Sequence, residues 1–216
     1  MSIGAPSVAG EAIEAADLRA YLERATRAIE RHARYLNRLD AALGDGDHGE
    51  NMVAGCHEVL AALAGEPSDD LGALARLVGH TLVASVGGAS GPLYGTAWIE
   101  AGIALDGIRR IDLEGLLIAF EAGSAGLRRR GRCALGDKTI YDALAPAVVA
   151  MREAAAAGTD IGPAIAGAAR ASGVGMRATV PLVARRGLAL RLGDRSRGHQ
   201  DPGATSCFLL IRAMLP

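Results

Sequence analysis

Three aspartates within eight residues of a glycine-rich stretch are the clearest chemical feature of the sequence. They are Asp40, Asp45 and Asp47, followed closely by His48 and Asn51. Carboxylates this close repel one another unless a cation neutralises them, and carboxylate oxygens suit the hard ions magnesium and calcium. The glycines between them let the backbone fold tightly around an ion. The sequence therefore predicts a divalent metal site on the three aspartates.

Two other interpretations of this stretch are a calcium-binding EF-hand loop and a simple capped turn. Counted from Asp45, an EF-hand loop needs glycine at its sixth position and glutamate at its twelfth, but the chain has Glu50 and Cys56 there. In the capped turn, Asp47 would only begin the next helix. A single Asp-Gly pair would favour that turn, whereas three aspartates beside a histidine and an asparagine favour the metal site.

Three further segments have glycine-rich or polar sequences that suit contact with a phosphorylated ligand. Residues 87–95 join one helix to the next, where free backbone N–H groups bind anions, or they form only a tight turn. Residues 136–142 contain Lys138, which could face a phosphate, although helix capping by its neighbours is the stronger interpretation. Residues 193–204 are a polar stretch of a kind that is usually functional, in which Asp201 either caps the last helix or contacts a ribose or base.

Helices are predicted to position these motifs. Between residues 18 and 39, apolar side chains recur at alternating steps of four and three, which indicates one face of a long helix. Further helices are predicted over residues 50–64, from Asp69 or Asp70 to 86, from Ser90 onward with Ser90 as its cap, from Asp112 to 127, over 139–156, from Asp160 to near Pro181, and from Asp201 onward. Residues 128–138 and 187–202 are predicted loops. About eight helices and no convincing strand indicate an all-α domain.

The composition limits the classes of function that the chain can have. Half of the 216 residues are hydrophobic but only 3% are aromatic, which is typical of a helical bundle with small core side chains. A net charge of −1 offers no basic excess for nucleic acid. Cys56, Cys133 and Cys207 form no CxxC pair, which fits a reducing, cytoplasmic setting. We see no signal peptide or membrane span, and expect a flexible leader over residues 1–10 and one domain over 11–216.

Taken together, the four segments resemble the L subunit of dihydroxyacetone kinase across nearly the whole chain. The matching residues are Asp40-x4-Asp45-x-Asp47-His48-Gly49-x-Asn51-Met52, then Gly87-Gly88-Ala89-Ser90-Gly91-Pro92-Leu93-Tyr94-Gly95, then Gly136-Asp137-Lys138-Thr139, then Arg195-Ser196-x-Gly198-His199-Gln200-Asp201-Pro202-Gly203-Ala204. Any one of these segments would be unspecific alone, whereas four of them in the same order and spacing are specific.

The resemblance implies a barrel of eight antiparallel helices with a nucleotide site in the loops at one end. It implies that two magnesium ions bind Asp40, Asp45 and Asp47. The positions that match nucleotide contacts of the family are His48, Gly49, Asn51, Ala89, Ser90, Gly131, Ile140, Asp201, Pro202 and Gly203. Residues 128–138 resemble the lid of the family.

The resemblance also implies an activity and partners. The family transfers a phosphoryl group to dihydroxyacetone held on a separate K subunit. In one branch ADP stays bound and is recharged by a phosphohistidine M subunit of the phosphotransferase system. In the other branch ATP is the donor and both domains share one chain. Because this chain carries only the L portion, we expect a multi-subunit system.

One departure from the family pattern concerns the donor and the substrate. Leu188 stands where such subunits often carry an arginine that contacts the nucleotide, and Arg186 could take over that contact from two residues earlier. Residues 189–191 also lack an aromatic that is common in the family. Two alternatives stay open: a nucleotide-sensing regulatory subunit that has the same site but catalyses nothing, and a kinase subunit for another ketose such as erythrulose.

Overall fold

The structure is a computed structural model that describes residues 12–216, so the predicted leader lies outside the described residues. The described part contains eight α-helices: α1 (Ala15–Ala41), α2 (His48–Ala64), α3 (Leu71–Ser85), α4 (Ser90–Ala104), α5 (Leu113–Gly131), α6 (Ile140–Ala156), α7 (Ile161–Ala178) and α8 (Pro202–Arg212). A 3₁₀ segment, Leu188–Ser196, lies between α7 and α8. Two strands of two residues, β1 (Ile13–Glu14) and β2 (Arg110–Ile111), pair antiparallel. The predicted all-α class is confirmed.

The helices form a closed barrel in which each packs on the next along the chain and α8 packs back on α1. Short connections make consecutive helices antiparallel, so alternate connections lie at the same end. The connections α1–α2, α3–α4, α5–α6 and α7–α8 line one common cleft. All four segments with the predicted chemistry therefore meet at one end of the barrel.

The helices start near the predicted residues and bury the apolar faces that the sequence pattern predicts. In α1 the predicted face is buried at Leu22, Ala25, Ile29 and Leu36. The side chains of Asp70 and Asp112 accept hydrogen bonds from the first turns of α3 and α5. Thr139 and Asp142 form a capping box at the start of α6. Local capping and one apolar stripe per helix are thus sufficient to define these elements.

Three details differ from the sequence-based expectations. α5 continues through the predicted loop to Gly131, because Arg128–Arg130 form its solvated last turn. Residues 187–202 are not wholly irregular, since the 3₁₀ segment occupies most of them. Ser90 is the first residue of α4 and Ala89 occupies the N-cap position, so Ser90 does not cap this helix by a side-chain hydrogen bond.

At the end of the barrel away from the cleft, the start of α1 contacts neighbouring connections between helices. Arg19 donates hydrogen bonds to the carbonyls of Leu63 and Glu66, at 2.7 and 2.6 Å, and β1 pairs with β2. Inside the barrel, an apolar cavity of about 230 Å³ is lined by residues of several helices, among them Trp98, which stacks on Tyr21. Among the described residues, no helix is long and apolar enough to cross a membrane.

Candidate functional site

The three predicted aspartates come together at the end of α1 and the start of α2. Asp40, Asp45 and Asp47 each offer a carboxylate oxygen, and these oxygens lie within 4.8 Å of one another. Asp40 Oδ2 accepts the backbone N–H groups of Gly46 at 2.9 Å and of His48 at 3.2 Å. Gly46 has a φ of +86°, a conformation that glycine adopts without strain. The loop is therefore folded around the carboxylate of Asp40.

Asp47 occupies the N-cap position of α2, yet its side chain makes no capping hydrogen bond. Asn37 from α1 takes that role, because its Oδ1 accepts the N–H groups of Gly49 at 2.7 Å and Glu50 at 3.2 Å. This arrangement leaves the carboxylate of Asp47 free at the helix start. The capped-turn interpretation of the sequence would have used that carboxylate, so the geometry favours the metal interpretation.

The carboxylate cluster fits a small hard cation. Asp45 and Asp47 are exposed, and Asp40 keeps Oδ1 directed to the loop, where a Cβ at position 44 would lie 2.6 Å from it. Gly44 therefore leaves room beside this oxygen. An all-oxygen donor set from carboxylates, open to water on one side, is the kind that magnesium prefers.

His48 forms the inner wall of the site and is buried. Its Nδ1 lies 3.2 Å from Ser90 Oγ at the start of α4, and its Nε2 lies 2.9 Å from Ser206 Oγ in α8. Burial lowers the pKa of the imidazole, while the charges of Asp40, Asp47 and then Asp45 act in the opposite direction. The histidine thus connects the acidic loop to two other helices.

Asp201 lies at the start of α8 and its carboxylate is buried. Its Oδ2 accepts the N–H of Ala204 at 2.7 Å, so the capping role is present. Burial raises the pKa of Asp201 to about 7; the capping N–H and the charge of Lys138 lower it, and the charge of Asp142 raises it further. The residue also lines the cleft. The capping and ligand-contact interpretations of Asp201 are therefore compatible.

The side chain of Lys138 is held by hydrogen bonds to backbone carbonyls. Its ammonium donates to the carbonyls of Thr179, at 2.7 Å, and His199, and burial lowers its pKa. It ties the end of α7 to the segment before α8. Because two backbone carbonyls accept hydrogen bonds from the ammonium, helix positioning is the stronger interpretation of Lys138, as predicted from the sequence.

Two arginines border the cleft with guanidinium groups that are not buried. Arg186 Nε donates to Asp137 Oδ2 at 3.2 Å, and 47% of the Arg186 side chain is exposed while Asp137 is buried. Arg130, in the last turn of α5, is exposed and also lines the cleft. Leu188, at the position where the family often has arginine, is also exposed beside Arg186. Arg186 is therefore held at the rim by a buried carboxylate.

The cleft between these groups has a volume of about 370 Å³, within the usual range for small-molecule sites. Of the predicted site residues, those that line it are Asp40, Asp45, Asp47, His48, Asn51, Ala89, Ser90, Gly131, Ile140, Asp201, Pro202 and Gly203. Gly49 does not line it, because Gly49 lies against α1, where a Cβ would come within 2.1 Å of the Ala33 carbonyl. Its predicted nucleotide contact stays a prediction.

The sequence analysis assigned no site role to three polar residues that the structure places at the site. Asn37 caps α2, while Tyr94 and Ser206 contact each other at 2.8 Å behind His48. Asn37 stands three residues before Asp40, so both lie on one side of α1, and this spacing could have indicated it. Nothing in the local sequence relates Ser206 to His48, which is 158 residues away.

The fold and the site define a helical barrel with a cleft at one end that suits a divalent cation and an anionic ligand. Comparison with known proteins agrees. Residues 42–216 match the family model of the DAK2 domain. The PEP-dependent dihydroxyacetone kinase ADP-binding subunit DhaL of Escherichia coli (strain K12) is 37% identical over 194 residues, covering 90% of this chain and 92% of the relative.

Longer proteins also contain a similar domain. The L-erythrulose 1-kinase of Mycolicibacterium smegmatis is 38% identical over 83% of this chain, which spans 31% of that protein. The crystal structure of the dihydroxyacetone kinase of C. freundii in complex with AMP-PNP and Mg2+ superposes with a TM-score of 0.72 at 25% identity, over 99% of this chain and 36% of that one. The chain belongs to the DAK2 domain family, as a subunit of the DhaL type. It is thus a phosphotransferase component.

Proposed function

We propose that this chain binds the magnesium complex of ADP or ATP in the cleft. Its phosphoryl group would pass to dihydroxyacetone, or a related short ketose, held on a partner K subunit. The observation that carries the proposal is the convergence of Asp40, Asp45 and Asp47, with the capping duty of Asp47 taken over by Asn37. A helix start with free N–H groups faces the same cleft at Ser90.

Each side of the cleft has a separate task in this proposal. The three aspartates hold magnesium, for which two ions are expected, and magnesium when bound neutralises charge on the phosphate oxygens. Ser90 and the N–H groups of the α4 start bind phosphate, since anions are stabilised at helix N-termini. Arg130 and Arg186 add positive charge at the rim. Phosphoryl transfer depends mainly on such positioning and charge neutralisation.

The nucleoside part is proposed to lie on the other side of the cleft. Gly131, Ile140, Asp201, Pro202 and Gly203 border this side. Asp201 is mostly protonated below pH 7 in the absence of a ligand, because burial raises its pKa to about 7. A protonated carboxyl can donate a hydrogen bond as well as accept one. The carboxylates that line the cleft already have tasks in this proposal, on the metal and on the nucleoside, so the base for the sugar hydroxyl is proposed to belong to the K subunit.

The donor is proposed to be a phosphohistidine M subunit that recharges bound ADP. Support comes from the relative of similar length, whose name describes a PEP-dependent kinase with an ADP-binding subunit. ATP as the direct donor is the alternative. The longer relative named an L-erythrulose 1-kinase keeps a four-carbon ketose open as the acceptor.

Calorimetry with magnesium and ADP tests the binding step. We expect wild-type chain to bind only when both are present, and Asp45→Ala to weaken binding at least tenfold because one ligand of the cation is lost. Asp69→Ala removes an acid that is 64% exposed and pairs with Arg109 on the surface, and is expected to bind like wild type. Equal affinity of wild type and Asp45→Ala would contradict the proposed metal site.

Reconstitution with partner proteins distinguishes a kinase subunit from a regulatory subunit that catalyses nothing. Wild-type chain is mixed with a K subunit, dihydroxyacetone or erythrulose, and either ATP or a phosphorylated M subunit. Formation of a phosphorylated ketose that requires this chain supports the kinase and identifies donor and acceptor. Tight binding of magnesium and ADP without any transfer under all these conditions would instead favour the regulatory subunit.

A further inference from the structure

Positive charge is concentrated in two segments beside the cleft, although the whole chain has a net charge of −1. Residues 128–138 and 185–197 together contain nine arginines and one lysine but only two aspartates. The two segments are in contact, since the N–H of Arg185 donates to the carbonyl of Asp137 at 3.0 Å and Arg186 pairs with the Asp137 carboxylate. They therefore form one continuous region, which we call the basic surface.

Most arginines of the basic surface have no partner within the described chain. Arg129, Arg186 and Arg197 pair with acidic residues. Within residues 12–216, the other six side chains make no ion pair or hydrogen bond, and all six residues are exposed. They are Arg128, Arg130, Arg132, Arg185, Arg191 and Arg195. Of these six, only Arg130 lines the cleft, so a nucleotide in the cleft meets little of this charge.

The basic surface also exposes three large apolar side chains. Leu135, Leu188 and Leu190 are 61%, 46% and 54% exposed. Leu188 and Leu190 flank Ala189 in the sequence, and the burial of Ala189 against Leu43 attaches this part of the 3₁₀ segment to the acidic loop. Single exposed leucines are common, whereas several on one charged surface mark a site of interaction with another protein.

We propose that the basic surface docks the phosphorylated donor protein, through an acidic face that surrounds its phosphohistidine. This inference rests on the proposed function, which assigns the donor as a phosphohistidine M subunit. Of the two partners in that function, the donor carries a phosphoryl group with about two negative charges. The ketose on the K subunit is uncharged. Because arginine binds phosphate and carboxylate oxygens with paired N–H groups, the basic surface fits the donor rather than the K subunit.

Docking of the donor serves the recharging of bound ADP. In that step the P–N bond of the phosphohistidine breaks and a P–O bond forms to a terminal phosphate oxygen of ADP. The products are ATP and unphosphorylated histidine, whose ring takes up one proton. The basic surface takes no part in these bond changes. It raises the rate at which the two proteins associate, because opposite charges steer their encounter, and salt screens this effect.

Charge reversal at two arginines that do not line the cleft tests the inference. Arg128→Glu/Arg191→Glu places one reversal in each segment, and the chain is loaded with magnesium and ADP. It is then mixed, without K subunit, with M subunit phosphorylated on histidine, and ATP formation is followed in a single turnover. At low salt we expect the second-order rate constant to fall about tenfold to hundredfold, and the loss to shrink in about 1 M salt.

Two further measurements accompany this variant. Its affinity for magnesium and ADP in calorimetry should equal that of wild type, since neither arginine lines the cleft. Arg170→Glu/Arg212→Glu makes the same change in net charge at two exposed arginines outside the basic surface, and should recharge like wild type. The neutral variant Arg128→Gln/Arg191→Gln should lose less than the reversal, because only the attraction is removed.

Equal rate constants for wild type and the reversal variant at low salt would overturn the inference, as would an equal loss in the control variant. A loss confined to transfer from ATP to the ketose on the K subunit would assign the basic surface to that subunit, and the docking of the donor would be wrong. If wild type bound no magnesium and ADP, the proposed function and this inference would both fall. Normal nucleotide binding with normal recharging of the reversal variant would remove only the docking surface.

Discussion

At the scale of single residues, the carboxylate of Asp40 holds the backbone of the acidic loop in place, while those of Asp45 and Asp47 remain available to a cation. Asp40 Oδ2 receives three backbone N–H groups of its own loop, including that of Asp47 at 3.0 Å. Among the described residues, the carboxylates of Asp45 and Asp47 receive no hydrogen bond. The type and spacing of these residues predicted the cluster, but only the structure shows this division between them.

Asp201 should make the stability of the ligand-free chain depend on pH. Its pKa rises from an ordinary 3.8 to about 7 on burial, so the folded chain keeps a proton that the unfolded chain releases. This contribution to stability is present below pH 4 and is lost as the pH rises from about 4 to about 7. In denaturant titrations, the free energy of unfolding of wild type should fall by about 2 kcal/mol more than that of Asp201→Asn between pH 5 and pH 8.

Asparagine keeps a capping oxygen at this position, so the start of α8 should survive the change. Asp112→Asn makes the same substitution at the exposed cap of α5 and measures the effect of the amide alone. Parallel stability curves for wild type and Asp201→Asn over this pH range would contradict the prediction.

At the scale of elements, α3 and α4 approach each other closely through glycines. A Cβ at position 79 would lie 2.7 Å from the Gly95 carbonyl, and a Cβ at position 95 would lie 2.7 Å from the Gly79 carbonyl. These two helices can therefore approach only because neither has a side chain at the crossing. Their approach also fixes the short turn that presents Ser90.

We expect Gly79→Ala to destabilise the chain by about 1–3 kcal/mol, because a rigid backbone carbonyl occupies the space of the new methyl group. Gly167→Ala is the matched control within a helix, since only the flexible end of Arg170 lies near a Cβ there, at 3.8 Å. That change should stabilise by about 0.5–1 kcal/mol. Thermal and denaturant unfolding measure both, and a neutral Gly79→Ala would argue against the close crossing.

The elements that the sequence misjudged have identifiable causes. The arginines at 128–130 suggested a loop, but they form the exposed side of the last turn of α5, where Arg129 pairs with Glu100. The helix ends at Gly131, and its C-cap Arg132 has a left-handed conformation that is more usual for glycine. The 3₁₀ segment is held by tertiary packing, with Ala189 buried against Leu43 of the acidic loop. Contacts of this kind leave no local pattern.

At the scale of the whole molecule, the sequence predicts the number of helices, their order and the end at which the chemistry lies. Antiparallel neighbours with short connections bring alternate connections together, so the four motifs had to meet. The contacts across the barrel could not be predicted, because Lys138 reaches the carbonyl of His199 and His48 reaches Ser206 only once the barrel closes. The metal and nucleotide assignments stay predictions.

Closure of α8 on α1 has a geometric consequence for fused proteins. Arg24 of α1 donates to the carbonyl of Ala213, so the described chain enters and leaves on the side away from the acidic loop. α1 has 27 residues, which corresponds to a length of about 40 Å. A catalytic domain attached before α1 would start that far from the acidic loop. To bring a bound sugar to the cleft, such a domain would need a linker of about 12 extended residues, or would itself have to span about 40 Å.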